Sequence, residues 1–527
     1  MAALVAAPAS AATTVPAAPL TAAPLTAYVQ ARAADADGQV TAAARDYALA
    51  LAAQPADPVI AVRALRQALA AGDLPLARRA GAVLRAADVA PPDLDLLVFS
   101  DAVIARDAVA QRAALDRLAG SPLGFLSPLL AGWVDLPAPE VAGDGGAIPR
   151  RYAAENAALR LLATGRMAEG VAATRALLSA TGGDADFRLN AAQFLARGGE
   201  RDTARALLSG DDPVLARAAE TLGRGSKGDA RFGVSRLFAR MAGDLSAEGT
   251  EALAIMLSRS ALLLDPGYSR ARIALADALA RDDAVAEARA TLAQIPSGDP
   301  FAGSANALGI VILQRSGDLP GALALAREQA TRRDAPTASL RRYADLLLES
   351  DQPAEAAQVY ARALEKAGPT ADWTLYLQRG AALDRMGDWA GALPMLRRAV
   401  ELAPQEPAAL NYLGYAQVDR GENVAEATRM LERAHALAPK DPAIADSLGW
   451  ARFRAGNLVA ALPLIEGAVR QAPDDVEINE HLGDLYWAAG RRVEARYAWN
   501  AAAVSASGPD AARLASRLAN GPPSSHR

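Results

Sequence analysis

The chain has no cysteine among its 527 residues. This excludes disulfides, thiolate nucleophiles, zinc–thiolate sites and iron–sulfur clusters, and it removes any lipid-acceptor cysteine near the N-terminus. Aromatic residues make up only 5% and lysine is nearly absent. Histidine occurs at His435, His481 and His526 alone, and no two of these share a helix face at metal-ligand spacing. His481 has Asp484 three residues on, which on a helix reads as a surface polar pair. A surplus of basic charge is missing too: the formal net charge is −5, and the arginines are scattered instead of forming the concentrated face that nucleic acid requires. No run of ~18 apolar residues exists to form a transmembrane helix. No region alternates apolar and polar residues long enough to make a set of strands. Without strands there is no frame for a P-loop or a G-x-G-x-x-G turn, and the Gly-x-Gly at Gly223–Gly225 stands alone. No catalytic, cofactor or metal site is read from the chain, and no Ser/His/Asp set is present.

What the sequence does contain is alanine, together with leucine, arginine and glutamate. Hydrophobic residues reach 52%, and a small helix-former supplies much of that share. The expected class is all-α. A single core does not grow to this length, so the chain is either several domains or a repeat array. Spacing decides between them. Gly387, Gly421, Gly456 and Gly490 lie 34, 35 and 34 residues apart. Gly380, Gly414, Gly449 and Gly483 keep the same intervals, and Ala392, Ala427, Ala461 and Ala495 follow at 35, 34 and 34. Pro404, Pro439 and Pro473 mark the end of each unit.

A 34-residue period with small residues at fixed offsets and a terminal proline resembles the tetratricopeptide-repeat (TPR) family. The resemblance implies a right-handed superhelical solenoid of antiparallel helix pairs. In the unit Pro442–Asp475, Gly449 permits close approach of the second helix, Gly456 ends the first in a left-handed conformation, and Ala461 and Ala468 line the crossing. Each pair leaves an apolar face that only stacking buries. The period divides the chain as follows. Residues 1–23 form a leader and 24–136 the N-terminal TPR-like repeats. Residues 137–150 (PAPEVAGDGGAIPR) form a Pro/Gly-rich loop, followed by degenerate repeats over 151–234. The main array covers 235–508, a capping helix 509–520 with Leu514 and Leu518 on one face, and a disordered tail 521–527. The loop at 137–150 and the turn Gly223–Gly228 are expected to divide the solenoid into two lobes with a hinge.

In TPR proteins, positions 2, 5, 9, 12 and 13 of each unit face a concave groove. Carried onto this chain, they give Arg341, Asp345 and Glu349, then Asp384 and Arg385, then Asn411, Tyr415 and Asp419. They continue with Asp446, Trp450, Phe453 and Arg454, and end with Glu480, Asp484 and Trp487. Aromatic anchors between charged groups suit an extended or helical peptide. Trp450 and Trp487 either line the groove or pack between repeats, and the sequence leaves both open. The fifth positions, Arg341, Leu377, Asn411, Asp446 and Glu480, lack the Lys/Asn pattern of a carboxylate clamp.

Three C-terminal runs are more specific: Tyr412–Gly421 (YLGYAQVDRG), Asp446–Trp450 (DSLGW) and His481–Trp499 (HLGDLYWAAGRRVEARYAW). They resemble bacterial envelope TPR proteins, among them the outer-membrane TPR lipoprotein that is the adaptor of a carboxyl-terminal processing protease. That resemblance implies a protein-binding scaffold whose partners are a periplasmic protease and its substrates. The missing lipobox cysteine favours a soluble periplasmic form. Met1–Ala11 (MAALVAAPASA) ends in an A-x-A-like site and reads either as the tail of a secretory signal or as an Ala/Pro-rich leader. Two alternatives remain open: a cytoplasmic TPR scaffold or assembly factor, and a TPR-containing glycosyltransferase, which needs a sheet between Pro92 and Gly233.

Overall fold

A computed structural model describes residues 24–138, 150–181, 184–210, 212–225 and 228–522. The expected leader, most of the loop at 137–150 and the last five residues of the tail lie outside the described residues. Among the described residues there are twenty-nine α-helices, two single 3₁₀ turns and no strand. The sheet that a glycosyltransferase needs between Pro92 and Gly233 therefore has no strand among them. No described helix is long and apolar enough to cross a membrane. The chain divides into two compact units, Met1–Asp318 and Leu319–Arg527. The array expected over 235–508 thus crosses a unit boundary.

Unit 1 begins with two stacked helix pairs, α1 (Pro24–Ala36) with α2 (Val40–Ala53) and α3 (Pro58–Ala71) with α4 (Leu74–Ala86). Next come α5 (Leu94–Ala105), α6 (Ala108–Ala119) and α7 (Ser127–Trp133). Beyond the loop lie α8 (Arg150–Ala163), α9 (Met167–Thr181), α10 (Ala185–Arg197), α11 (Arg201–Leu207) and α12 (Pro213–Thr221). Five more helices complete the unit: α13 (Ala230–Asp244), α14 (Glu251–Leu264), α15 (Ser269–Arg281), α16 (Val285–Leu292) and α17 (Ala302–Arg315).

The path is not a plain stack, because α14 packs on both α3 and α5, and α13 packs on α5, α7 and α8. The sequence of α5 explains this. Its residues LDLLVFSDAVIA are apolar on nearly every face, and such a helix must be surrounded. Arg259 of α14 ties the two ends together, donating 2.6 Å hydrogen bonds to the carbonyls of Leu69 and Ala70 at the end of α3. Across the 137–150 loop, Trp133 Nε1 donates to Asn156 Oδ1 at 2.6 Å, and Arg151 and Tyr152 both reach Asp244. The expectation of two lobes hinged at 137–150 is therefore corrected: the helices on both sides of that loop bury their apolar faces in one unit, and the divide falls at Asp318/Leu319.

Unit 2 opens with α18 (Leu319–Thr331) and continues as five regular pairs. They are α19 (Thr337–Glu349) with α20 (Pro353–Ala367), α21 (Trp373–Arg385) with α22 (Trp389–Leu402), and α23 (Pro407–Asp419) with α24 (Val424–Leu437). The last two are α25 (Pro442–Arg454) with α26 (Leu458–Gln471), and α27 (Val476–Ala488) with α28 (Arg492–Ser505), and α29 (Gly508–Asn520) follows. Each second helix packs on the next first helix, and first helices touch one another along the stack.

Aspartates start several helices by accepting backbone hydrogen bonds: Asp372 from Leu375, Asp441 from Ala443 and Ile444, and Asp475 from Ile478. The turn glycines Gly387, Gly421, Gly456 and Gly490 all have φ between +70° and +85°. The helical glycines act by size. A Cβ on Gly449 would lie 2.5 Å from Ile465 of the paired helix, and one on Gly380 would lie 2.6 Å from Leu396. Opposite Gly483 the apolar partner is Trp499, whose ring fills the space a side chain would need. Ala392, Ala427, Ala461 and Ala495 are all fully buried where the second helices cross.

Candidate interaction surface

The first helices of unit 2 bring most of the expected groove residues into a ladder, but several of them face the next repeat rather than solvent. At the centre is His481 on α27. Its Nδ1 bonds Asp446 Oδ2 on α25 at 2.8 Å, and its ring stacks on Trp450 at 4.1 Å between centroids with an interplanar angle of 14°. Tyr415 of α23 lies against the same imidazole at 6.1 Å and donates its hydroxyl to Glu477. Phe453 packs on Trp450 at 5.4 Å, and the Arg454 guanidinium lies 5.9 Å over the Trp450 ring.

Asp446, Trp450 and His481 are buried, so Trp450 packs between repeats. The reading of His481 and Asp484 as a surface pair is corrected: the imidazole turns away from its own helix and pairs with the preceding repeat. Burial alone would lower the pKa of His481. The charge and hydrogen bond of Asp446, with Glu477 and Asp484 beyond, outweigh that effect and push it up to about 9.

The last repeat is covered by α29. Arg513 makes bonds to both carboxylate oxygens of Glu480, the shortest 2.7 Å. Arg517 clamps Asp484 through two bonds of 2.9 and 2.8 Å and lies 3.1 Å from Glu480. Trp499 Nε1 donates to Asp484 Oδ1 at 3.1 Å, and Leu514 completes the seal. Glu480 and Asp484 are thus buried under the final helix and are closed to a ligand. Trp487 is half-buried against Trp499 at 5.4 Å, with Arg492 3.8 Å over its ring.

Other expected groove positions stay reachable. Arg341 is half-buried, 3.8 Å from Asp372, and Asp345 is exposed and accepts a hydrogen bond from Tyr360. Glu349 and Asp419 are exposed, and Arg385 reaches Asp351 at 3.0 Å. Asp384 binds the Tyr412 hydroxyl at 3.3 Å and pairs with Arg420, whose guanidinium sits 4.3 Å over Trp389. Asn411 Oδ1 is enclosed and has no hydrogen-bond partner among the described residues. The open face therefore comprises Arg341, Asp345, Asn411, the edge of Tyr415, Phe453 and Arg454.

Sequence reasoning missed Glu477, Arg513, Arg517 and Trp389. The signal for the arginines is periodic: Glu480 to Arg513 and Asp446 to His481 are both about one repeat apart, 33 and 35 residues. No group of three or more His, Asp or Glu side chains among the described residues is placed to hold a metal.

Two family models, each described as a tetratricopeptide repeat, match the chain. One covers residues 311–372 and 447–512, the other 245–308 and 385–450. Among solved structures, MamA (41-end) from Desulfovibrio magneticus RS-1 is 21% identical over 32% of this chain and 94% of its own, with a TM-score of 0.28. TTC0263, a thermophilic TPR protein of Thermus thermophilus, is 20% identical over 35% of this chain and 98% of its own, with a TM-score of 0.31. YrrB, a TPR protein with an unusual peptide-binding site, is 19% identical over 36% of this chain and 91% of its own, with a TM-score of 0.28. Comparison with curated proteins gives no match. The two tetratricopeptide-repeat models together match residues 245–308, 311–372 and 385–512, the stretch in which the repeat spacing and most of the helix-pair glycines lie.

Proposed function

We propose that the chain is a non-enzymatic adaptor that binds segments of other proteins along the first helices of unit 2. The observation that carries this reading is the open face built by α19, α23 and α25. It combines a half-buried arginine (Arg341 on α19), the edge of Tyr415 on α23, and the half-buried Phe453 and Arg454 on α25. Aromatic and arginine side chains supply most of the energy at protein interfaces. The finer reading places the adaptor in the bacterial cell envelope, presenting substrates to a periplasmic carboxyl-terminal processing protease. It is supported by the sequence runs at 412–421, 446–450 and 481–499 and by the A-x-A-like site at Ala9–Ala11.

Two measurements test it. Affinity capture from envelope extract is compared between the wild type and an Arg341→Glu/Phe453→Ala/Arg454→Glu variant. These side chains are partly exposed, so the fold is retained while capture is lost; unchanged capture means the surface is wrongly assigned. Cell fractionation with N-terminal sequencing tests the location, and an intact Met1 in the cytosol contradicts the envelope reading.

A further inference from the structure

Unit 1 holds an open furrow of about 750 Å³ between α3 and α14, bounded by the 87–93 turn that leads into α5. Its walls are aliphatic, with Val59, Val62 and Leu69 from α3, Val89 from the turn, and Ile255 and Met256 from α14. Ile255, Met256 and Leu69 belong to the buried core, whereas Val59, Val62 and Val89 are 59%, 49% and 57% exposed. Three half-exposed valines on one continuous aliphatic wall differ from the singly scattered apolar residues of an ordinary surface, and such patches mark docking sites. The volume falls within the ~300–1,000 Å³ of ordinary ligand clefts.

The charges at the rim choose the occupant. Arg63 lies 3.9 Å from Asp35 and Arg66 lies 2.5 Å from Asp282, so both guanidinium groups are already matched within the unit. Asp93 is different. It lines the furrow half-buried and makes no ion pair among the described residues; burial pushes its carboxyl up, and the backbone amides of Asp93 and Leu94 at the start of α5 offset that only in part. A carboxylate removed from water without a cation beside it gains from any cation that a ligand brings, and it repels an acidic ligand.

We propose that this furrow docks a segment of another protein that presents clustered aliphatic side chains and, beside them, one lysine or arginine whose cation rests on Asp93. The surface lies wholly within unit 1 and does not rest on the reading of the unit 2 face.

The test uses the full chain, immobilised and panned with a random twelve-residue peptide phage library. The expected selection combines Leu, Ile or Val with one Lys or Arg, and the selected clones no longer bind a Val62→Arg chain. A synthetic copy of the leading peptide binds Asp93→Asn about tenfold more weakly, while its Lys→Met analogue binds both chains equally. Val62 is half exposed, so the arginine is tolerated. The thermal midpoint checks this, and Val59→Arg replaces the variant if the midpoint falls. The proposal is overturned by the absence of any selected set, by selected peptides without a basic residue, or by binding that Val62→Arg leaves intact. It is also overturned if sedimentation shows a concentration-dependent dimer that Val62→Arg dissolves, because the occupant is then a second copy.

Discussion

A buried imidazole sits among three carboxylates where α25 meets α27. His481 has a pKa raised from 6.5 to about 9, with Asp446 at 2.8 Å as the main favourable partner. The folded-state value lies above the unfolded one. Its stabilisation is therefore fully present below pH 6.5 and is lost as pH rises through about 9. The contribution is on the order of 3 kcal/mol at its largest. Urea midpoints followed by tryptophan fluorescence should fall between pH 6.5 and pH 9, and His481→Gln should flatten that fall. An equal slope in the variant removes the imidazolium from the account. The pair is hidden in the sequence because the neighbour of His481 on its own helix is Asp484, three residues away. In a stack the nearer neighbour lies one repeat back, at Asp446. Polar residues repeating at the period are the sign to read, and Glu480 with Arg513 repeats it.

At the scale of the helix, the four helical glycines and the crossing alanines were legible because the close approach of two helices leaves room for nothing larger. Gly449→Leu drives a side chain into Ile465 and should lower stability by about 1–3 kcal/mol, read as a shift in the thermal midpoint. A variant as stable as the wild type contradicts the close-packing account. The end of the stack was less legible. Leu514 and Leu518 pointed to a covering helix, but nothing in the period says that its arginines would close over Glu480 and Asp484. Arg517→Ala leaves two buried carboxylates with less compensation and should cost about 3–5 kcal/mol in local stability. Hydrogen exchange should then rise over 476–520 and remain unchanged over 337–385. Uniform exchange across unit 2 would mean that α29 is not a separate seal.

For the molecule as a whole, the period identified the solenoid class and the regular pairs from Thr337 onward, with every repeat from Trp373 on keeping its glycine and alanine markers. It could not show that unit 1 folds back so that α14 covers α3 and α5, because periodicity describes contacts between sequence neighbours only. The residues that impose this packing are in α5, whose apolar faces all demand cover, and in Arg259, whose guanidinium holds the end of α3. The expected groove was legible in part for a related reason. Family positions tell which side of a helix a residue occupies, but in this chain Asp446, Glu480 and Asp484 on that side are closed over by the following helix.

The claim that matters most is that the α19–α25 face binds protein. Photo-crosslinking tests it directly: p-benzoylphenylalanine is placed at Phe453 on that face and, as a control, at Val459, which is 86% exposed on α26. The account predicts a discrete crosslinked polypeptide from envelope extract at position 453 and none at 459. No adduct at 453, or the same adducts at both positions, would contradict it.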